Sequence, residues 1–198
     1  MIPPRLVLAT SNAGKVGELT PLVAEWGPIE VLSLADFPGV VLPEETGETY
    51  LANATLKAVA ARDATGQPAL ADDSGIEVDA LGGEPGLRSS RYGASAAERI
   101  EKLLRALAGV PPERRGARFR AVVVLAFPDG RMVSAEGTCE GRIALAPSGT
   151  AGFGYDPIFV SSELGRTIGD ATAADKARIS HRARAMHALG TKLNIASP

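Results

Sequence analysis

Apolar residues fall in short blocks along the chain, separated by turn formers, and the blocks differ in period. Leu6-Val7-Leu8-Ala9 is a continuous apolar run of strand length, and it stops at Thr10-Ser11-Asn12, residues that favour helix N-termini. Leu19, Leu22, Val23 and Trp26 then recur at spacings of three and four, which predicts a helix over 13–26 with one apolar face. Pro21 lies inside that span and predicts a kink or a later start. A second strand is expected over 31–34 and a connection over 37–43. Residues 49–65 are alanine-rich and helical, stopped by Gly66-Gln67-Pro68, and Asn53 and Lys57 share a face of that helix. Ala69-Leu70-Ala71 predicts a third buried strand that ends at Asp72-Asp73, with a separate strand over 76–81 and a turn at Gly82-Gly83-Glu84-Pro85-Gly86.

In the second half, Ile100, Leu103, Leu104 and Leu107 mark a helix over 96–108 that ends at Gly109-Val110-Pro111-Pro112. Residues 119–127 and 132–136, joined by Pro128-Asp129-Gly130, form the clearest hairpin, and 140–143 predicts one more strand. A glycine-rich loop follows over 147–157. The region 172–189 reads as helical, with Thr172 and Ser180 as caps of two helices. Strand–helix alternation followed by a hairpin argues for an α/β fold with a mixed sheet.

Composition narrows the function classes. A chain of 198 residues suits one domain, or two small lobes sharing a core. Its formal net charge of -2 gives no global field for nucleic acid or anionic membrane, so any bound phosphate must be held locally. Hydrophobic and charged shares of 45% and 22% exclude extensive disorder. The 22 glycines and 14 prolines exceed ordinary usage without a repeating period, which points to many loops and special backbone positions. One cysteine, Cys139, allows neither an internal disulfide nor a cysteine zinc cluster, and predicts a reducing, cytoplasmic setting. Met1-Ile2-Pro3-Pro4-Arg5 does not open a secretory signal pattern, and no apolar run approaches the roughly 18 residues of a membrane span.

Four stretches carry candidate chemistry. Thr10-Ser11-Asn12-Ala13-Gly14-Lys15 lies between a strand and a helix, where free backbone N–H groups, the helix dipole and a lysine suit phosphate. It is not a Walker A loop, which would need Gly at Ala9 and Ser or Thr at Val16. Asp72-Asp73 places two adjacent carboxylates at the expected strand end; they repel and point to opposite faces, so they call for a cation or a lysine nearby, unless both are solvated in a turn. Glu44-Glu45 is a second acidic pair, and oxygen-only ligands suggest Mg²⁺ rather than zinc. Gly152-Phe153-Gly154-Tyr155-Asp156-Pro157 offers two aromatics, either as a stacking face for a base or as anchors of a long loop. Ser180-His181-Arg182, with Lys176 one turn earlier, supplies donors for base oxygens or else a solvated basic helix. Phosphate, metal, a flat ring and ring oxygens are together what a nucleoside triphosphate presents.

These residues, with Glu45-Thr46-Gly47, Ala71-Asp72-Asp73-Ser74-Gly75, Gly83-Glu84-Pro85-Gly86, Ser90-Arg91-Tyr92 and the run on to Ile158-Phe159, resemble the noncanonical purine nucleoside triphosphate pyrophosphatases, the inosine triphosphate pyrophosphatase or RdgB-like family. The matches fall in order from residue 10 to residue 182 and cover nearly the whole chain. The resemblance implies a single two-lobed domain over 1–198, α/β in class, with a mixed central sheet, helices on both sides and a substrate cleft between the lobes. It implies hydrolysis of ITP, dITP and XTP to monophosphate and pyrophosphate, with Mg²⁺, by a cytoplasmic homodimer, which keeps these nucleotides out of DNA and RNA; neither nucleic acid nor membrane is a partner. Carried over by position, Thr10, Ser11, Asn12, Ala13, Gly14 and Lys15 would bind phosphate. Glu44, or Glu45 in its place, would hold metal with Asp73 and Asp72, and Asp73 would orient or deprotonate the attacking water beside Ser74. Lys57 and Lys176 would reach phosphate or base, Phe153, Gly154, Tyr155 and Asp156 would surround base and sugar, and His181 and Arg182 would read the purine. Ala52 stands where bacterial members often carry Glu.

Under that reading the base is chosen by its six-position oxo group, which accepts where the adenine amino group would set donor against donor. Other readings are a Maf-like pyrophosphatase acting on other nucleotides and a nucleotide-binding module without turnover. A nicotinamide-binding Rossmann domain is disfavoured because no Gly-x-Gly-x-x-Gly follows the first strand.

Overall fold

The structure, a computed structural model, describes residues 3–195; Met1 and Ile2, where the N-terminal reading begins, lie outside them. Among the described residues six strands and five α-helices run in the order β1 (Arg5–Leu8), α1 (Ala13–Ala24), β2 (Glu30–Ser33), α2 (Tyr50–Thr65), β3 (Ala69–Val78), α3 (Ala96–Ala106), β4 (Gly116–Ala126), β5 (Met132–Ile143), β6 (Phe159–Ser161), α4 (Ala173–Ile179) and α5 (His181–Lys192). The strands form one sheet in the order β2-β1-β3-β4-β5-β6. It is mixed, because β1 pairs with β2 and β3 in parallel whereas β5 and β6 are antiparallel. Two compact units divide the chain. One holds the residues up to Asp73, Ala121–Gly137 and the segment from Arg182 onward; the other holds Ser74–Arg120 and Thr138–His181.

The first unit follows from the two-residue period of its strands. Leu6 and Leu8 of β1, Leu70 of β3 and Ala121, Val123 and Leu125 of β4 pack with Leu19, Leu22 and Val23 of α1 and Met186 and Leu189 of α5. The alternate positions Val7, Ala69, Ala71, Val124 and Ala126, with Ala9 just beyond β1, pack with Ala54, Ala58 and Ala61 of α2. Strands covered on both faces read as unbroken apolar runs, which is why their period was invisible in the sequence. Thr49 caps α2 by accepting from the Ala52 N–H, and Gly66 closes it in the left-handed conformation. The second unit packs Ile76 and Val78 of β3, Leu103 of α3, Leu107 and the β5 and β6 residues Cys139, Ile143 and Phe159 around Ile158, Ile168 and Ile179.

Three expectations are corrected. Asp72-Asp73 does not end a strand: β3 continues as one strand from Ala69 to Val78, because each carboxylate finds partners inside the protein and the ladder need not break. The residues expected as a separate strand over 140–143 are the end of a single long β5, and β6 is an extra strand paired with it. Pro21 is accommodated within α1, which starts at Ala13 as expected and stops at Ala24, two residues early.

Two glycines test this packing in opposite directions. A Cβ at Gly141 would lie 2.3 Å from the Val160 carbonyl oxygen and 2.6 Å from the Phe159 ring, so Gly141→Ala is expected to destabilise by about 1–3 kcal/mol. Gly17, in mid-α1, has open space around that position, and Gly17→Ala is expected to stabilise by about 0.5–1 kcal/mol. Urea unfolding of the two variants checks both signs.

Candidate active site

Strand alternation decides where the adjacent carboxylates go. Leu70 faces α1 and α5 and Ala71 faces α2, so the next two residues repeat the pattern: Asp72 meets α1 and α5, and Asp73 meets α2.

Asp72 is fully buried. Its Oδ2 accepts from Arg182 Nε at 3.1 Å and Nη2 at 2.9 Å, and its Oδ1 lies 3.0 Å from Lys15 Nζ. Arg182 Nη1 in turn donates to Glu18 of α1. Burial alone would push the Asp72 carboxyl up, but Arg182, Lys15 and Lys57 together outweigh it and hold it well below the usual carboxylate range. Burial lowers the Lys15 ammonium from its ordinary value, with Arg182 and Lys57 adding to the effect and Asp72 opposing it.

Asp73 has a different environment. Its Oδ2 accepts from Asn53 Nδ2 at 3.0 Å, and Lys57 Nζ stands 3.7 Å from Oδ1. The same ammonium is 2.6 Å from Glu45 Oε1 and donates to the Asp72 carbonyl at 2.7 Å. Burial pushes the Asp73 carboxyl up, and the negative Glu45 adds to this against the pull of Lys57. The Glu45-Thr46-Gly47 segment is held here by the Gly47 N–H, which donates to Asn53 Oδ1 at 2.7 Å. That approach requires glycine, since a Cβ on residue 47 would come within 2.7 Å of both Asn53 Oδ1 and Ala52 Cβ. Ala52 therefore abuts the acidic loop.

The donor set suits a hard cation of modest coordination. Two carboxylates, Glu45 and Asp73, share one lysine. Among the described residues no group of three or more His, Cys, Asp or Glu forms a complete cage. Mg²⁺ is commonly held by one or two carboxylates plus substrate phosphates, and that is the arrangement this set could support. Of the acidic residues expected to hold metal, Asp73 is here, Asp72 is engaged by Arg182 and Lys15, and Glu44 is an exposed neighbour of Glu45.

The Thr10–Lys15 segment opens α1. Asn12 Oδ1 accepts from the Gly14 and Lys15 N–H groups at 2.9 and 3.3 Å, and the Asn12 N–H donates to the Thr10 hydroxyl at 3.2 Å. Ser11, Asn12 and Ala13 are exposed and Thr10 is buried. This end of the helix is capped by its own side chain, with Lys15 turned in toward Asp72.

The second unit holds the remaining expected residues. Asp156 is buried; its Oδ2 accepts from the Phe153 N–H at 2.7 Å and from Lys176 Nζ at 2.5 Å, and Lys176 lies over the Phe153 ring at 4.7 Å. Phe153 keeps 36% of its surface exposed. Tyr155 is buried and its hydroxyl donates to the Ser89 carbonyl at 2.9 Å, while Ser89 Oγ accepts from the Ile76 N–H. Gly152 and Gly154, at φ 76° and 65°, make the tight turn. His181 is buried and stacks on Phe119 with ring centroids 4.8 Å apart. Ser74 follows Asp73 on β3, half-buried.

The sequence profile of the Ham1 family matches residues 6–192. The chain belongs to the Ham1 family. Curated relatives include a protein of Thermus thermophilus, 51% identical over 187 residues, covering 93% of this chain and 89% of the relative, and one of Geobacillus kaustophilus, 49% identical over 184 residues, covering 91% and 90%; each is named dITP/XTP pyrophosphatase. Among solved structures, a Ham1 protein of Coxiella burnetii superposes with a TM-score of 0.86 at 40% identity, covering 97% of this chain and 99% of that one. The Ham1 protein of Staphylococcus aureus gives 0.84 at 37%, covering 96% and 98%.

For this Ham1 chain, sequence reasoning assigned no role to Asn53 or Glu18 and gave Glu45 second place. The signals were helical spacing: Asn53 is four residues before Lys57, and Glu18 three after Lys15. The raised Asp73 carboxyl also has a sign for stability. The native state holds that proton more tightly than the unfolded chain, whose Asp titrates near 3.8, so stability falls as pH rises from there through the native value. Asp73→Asn is expected to be more stable than the parent at pH 7, with the difference vanishing below pH ~3; urea unfolding across a pH series measures it.

Proposed function

We propose that this Ham1 protein is a nucleoside triphosphate pyrophosphatase that hydrolyses dITP, XTP and ITP to the monophosphate and pyrophosphate. The observation that carries the reading is Asp73: a buried carboxylate with a raised pKa, oriented by Asn53 and flanked by Lys57 and Glu45. The names of the curated relatives agree with it.

In the reaction, a water oxygen bonds to the α-phosphorus, the bond from that phosphorus to the bridging oxygen breaks, and pyrophosphate leaves. Asp73 orients the water and takes its proton. Asn53 fixes Oδ2, so the other oxygen is the one presented. Lys57 and Lys15 offset charge on the phosphate oxygens. Mg²⁺, when bound, supplies further positive charge to those oxygens, and Glu45 and Asp73 are the residues that would hold it. Within the second unit, the partly exposed Phe153 ring and the Lys176 ammonium over it are groups of the kind that would stack on a purine and donate to its six-oxo group. An adenine amino group there would face a donor.

The reading extends to a cytoplasmic homodimer that keeps deaminated purines out of DNA and RNA, on the support of the family resemblance; among the described residues no helix is long and apolar enough to cross a membrane. A pyrophosphate-release assay tests the core claim. The protein with Mg²⁺ is expected to release pyrophosphate from dITP, XTP and ITP at least about tenfold faster than from ATP or GTP, a ratio worth ~1.4 kcal/mol. Chelation with EDTA is expected to abolish release, and Asp73→Asn to lower kcat by about 10²–10⁴. Orthophosphate as the first product, or full activity in that variant, would overturn the reading.

A further inference from the structure

The Arg182 guanidinium bridges two carboxylates of different elements. Its Nε and Nη2 donate to Asp72 on β3 and its Nη1 to Glu18 on α1, and only 2% of the residue is exposed. Glu18 lies three residues after Lys15, on the same face of α1. Lys15 Nζ closes the circuit at 3.0 Å from the second oxygen of Asp72. Arg182 is the second residue of α5, so three elements meet through four alternating charges.

We propose that Glu18 is a positioning residue for the phosphate-binding lysine: through Arg182 it fixes the Asp72 carboxylate, and Asp72 fixes the Lys15 ammonium. The two guanidinium nitrogens hold Oδ2, which leaves Oδ1 facing the Lys15 ammonium. Glu18 supplies the second anchor that keeps the guanidinium from turning about its bond to Asp72. The role given to Glu18 rests on the pyrophosphatase reading given above.

Geometry and net charge make opposite forecasts. Glu18 is an anion near a site for polyanions, so removing its charge alone would tighten pyrophosphate binding. If Glu18 positions Lys15, its removal weakens binding. The probe is inorganic pyrophosphate as a competitive inhibitor of dITP hydrolysis. Glu18→Ala is expected to raise the pyrophosphate inhibition constant and the KM for dITP about tenfold, the scale of one lost charge-assisted hydrogen bond. Glu18→Gln keeps an acceptor for Arg182 and should show a rise of about threefold. It decides the matter alone should the alanine variant fail to fold, which a thermal melt reveals. An inhibition constant that is unchanged or lower in a folded variant overturns the assignment of Glu18 and leaves the enzyme reading intact. Absence of pyrophosphate release from dITP and XTP by the parent protein overturns both.

Discussion

Two carboxylates on adjacent residues of a buried strand must each be neutralised from a different side, and the first unit is arranged around that requirement. An ionised carboxylate without partners in a protein interior costs several kcal/mol even after relaxation. Asp72 recruits Lys15 from α1 and Arg182 from α5 on one face of β3, and Asp73 recruits Asn53 and Lys57 from α2 on the other. Loss of one cation would leave a buried carboxylate underpaired, so each of these contacts is worth more to the fold than a surface ion pair, which commonly contributes about 0–1 kcal/mol. The same pairing aligns ammonium groups and carboxylates for phosphate chemistry.

The two sides differ in burial and in charge balance. Around Asp72, two cations hold one carboxylate low, and the group serves as a fixed anion. Around Asp73, burial raises the carboxyl, and one lysine is shared between it and Glu45. Small residues make the second arrangement possible. The alanines of α2 and β3 let helix and strand approach closely enough for Asn53 and Lys57 to reach the carboxylate, and Gly47 lets the acidic loop rest on Asn53. In the second unit a comparable economy appears at Asp156, whose single Oδ2 organises the Phe153 backbone and Lys176 while Gly152 clears the space beside it.

Much of this could be read in advance. Helical spacing located α1, α2 and α3 to within a residue or two, and the hairpin announced itself through Pro128-Asp129-Gly130. The motif at 10–15, the paired acids and the loop at 152–157 were visible because their residue types are expensive or unusual where they stand. The end of β3 was misjudged, since local patterning counts two charges as a stop and cannot know that partners wait at residues 15, 57 and 182. The acceptors around Arg182 were equally hidden, because Asp72 and Glu18 lie 110 and 164 positions away in the chain and no local pattern reveals them.

The chain by itself therefore determined the helices, most of the strands, the motif order and the chemical repertoire, because these depend on short-range spacing and on the intrinsic properties of side chains. Tertiary structure alone decided which carboxylate is held low and which is raised, that Glu45 and not Glu44 shares a lysine with Asp73, and that Glu18 joins the circuit at all. Those outcomes depend on desolvation and on Coulomb interactions among residues up to 164 positions apart, as with Glu18 and Arg182, and only folding brings such groups within a few ångströms.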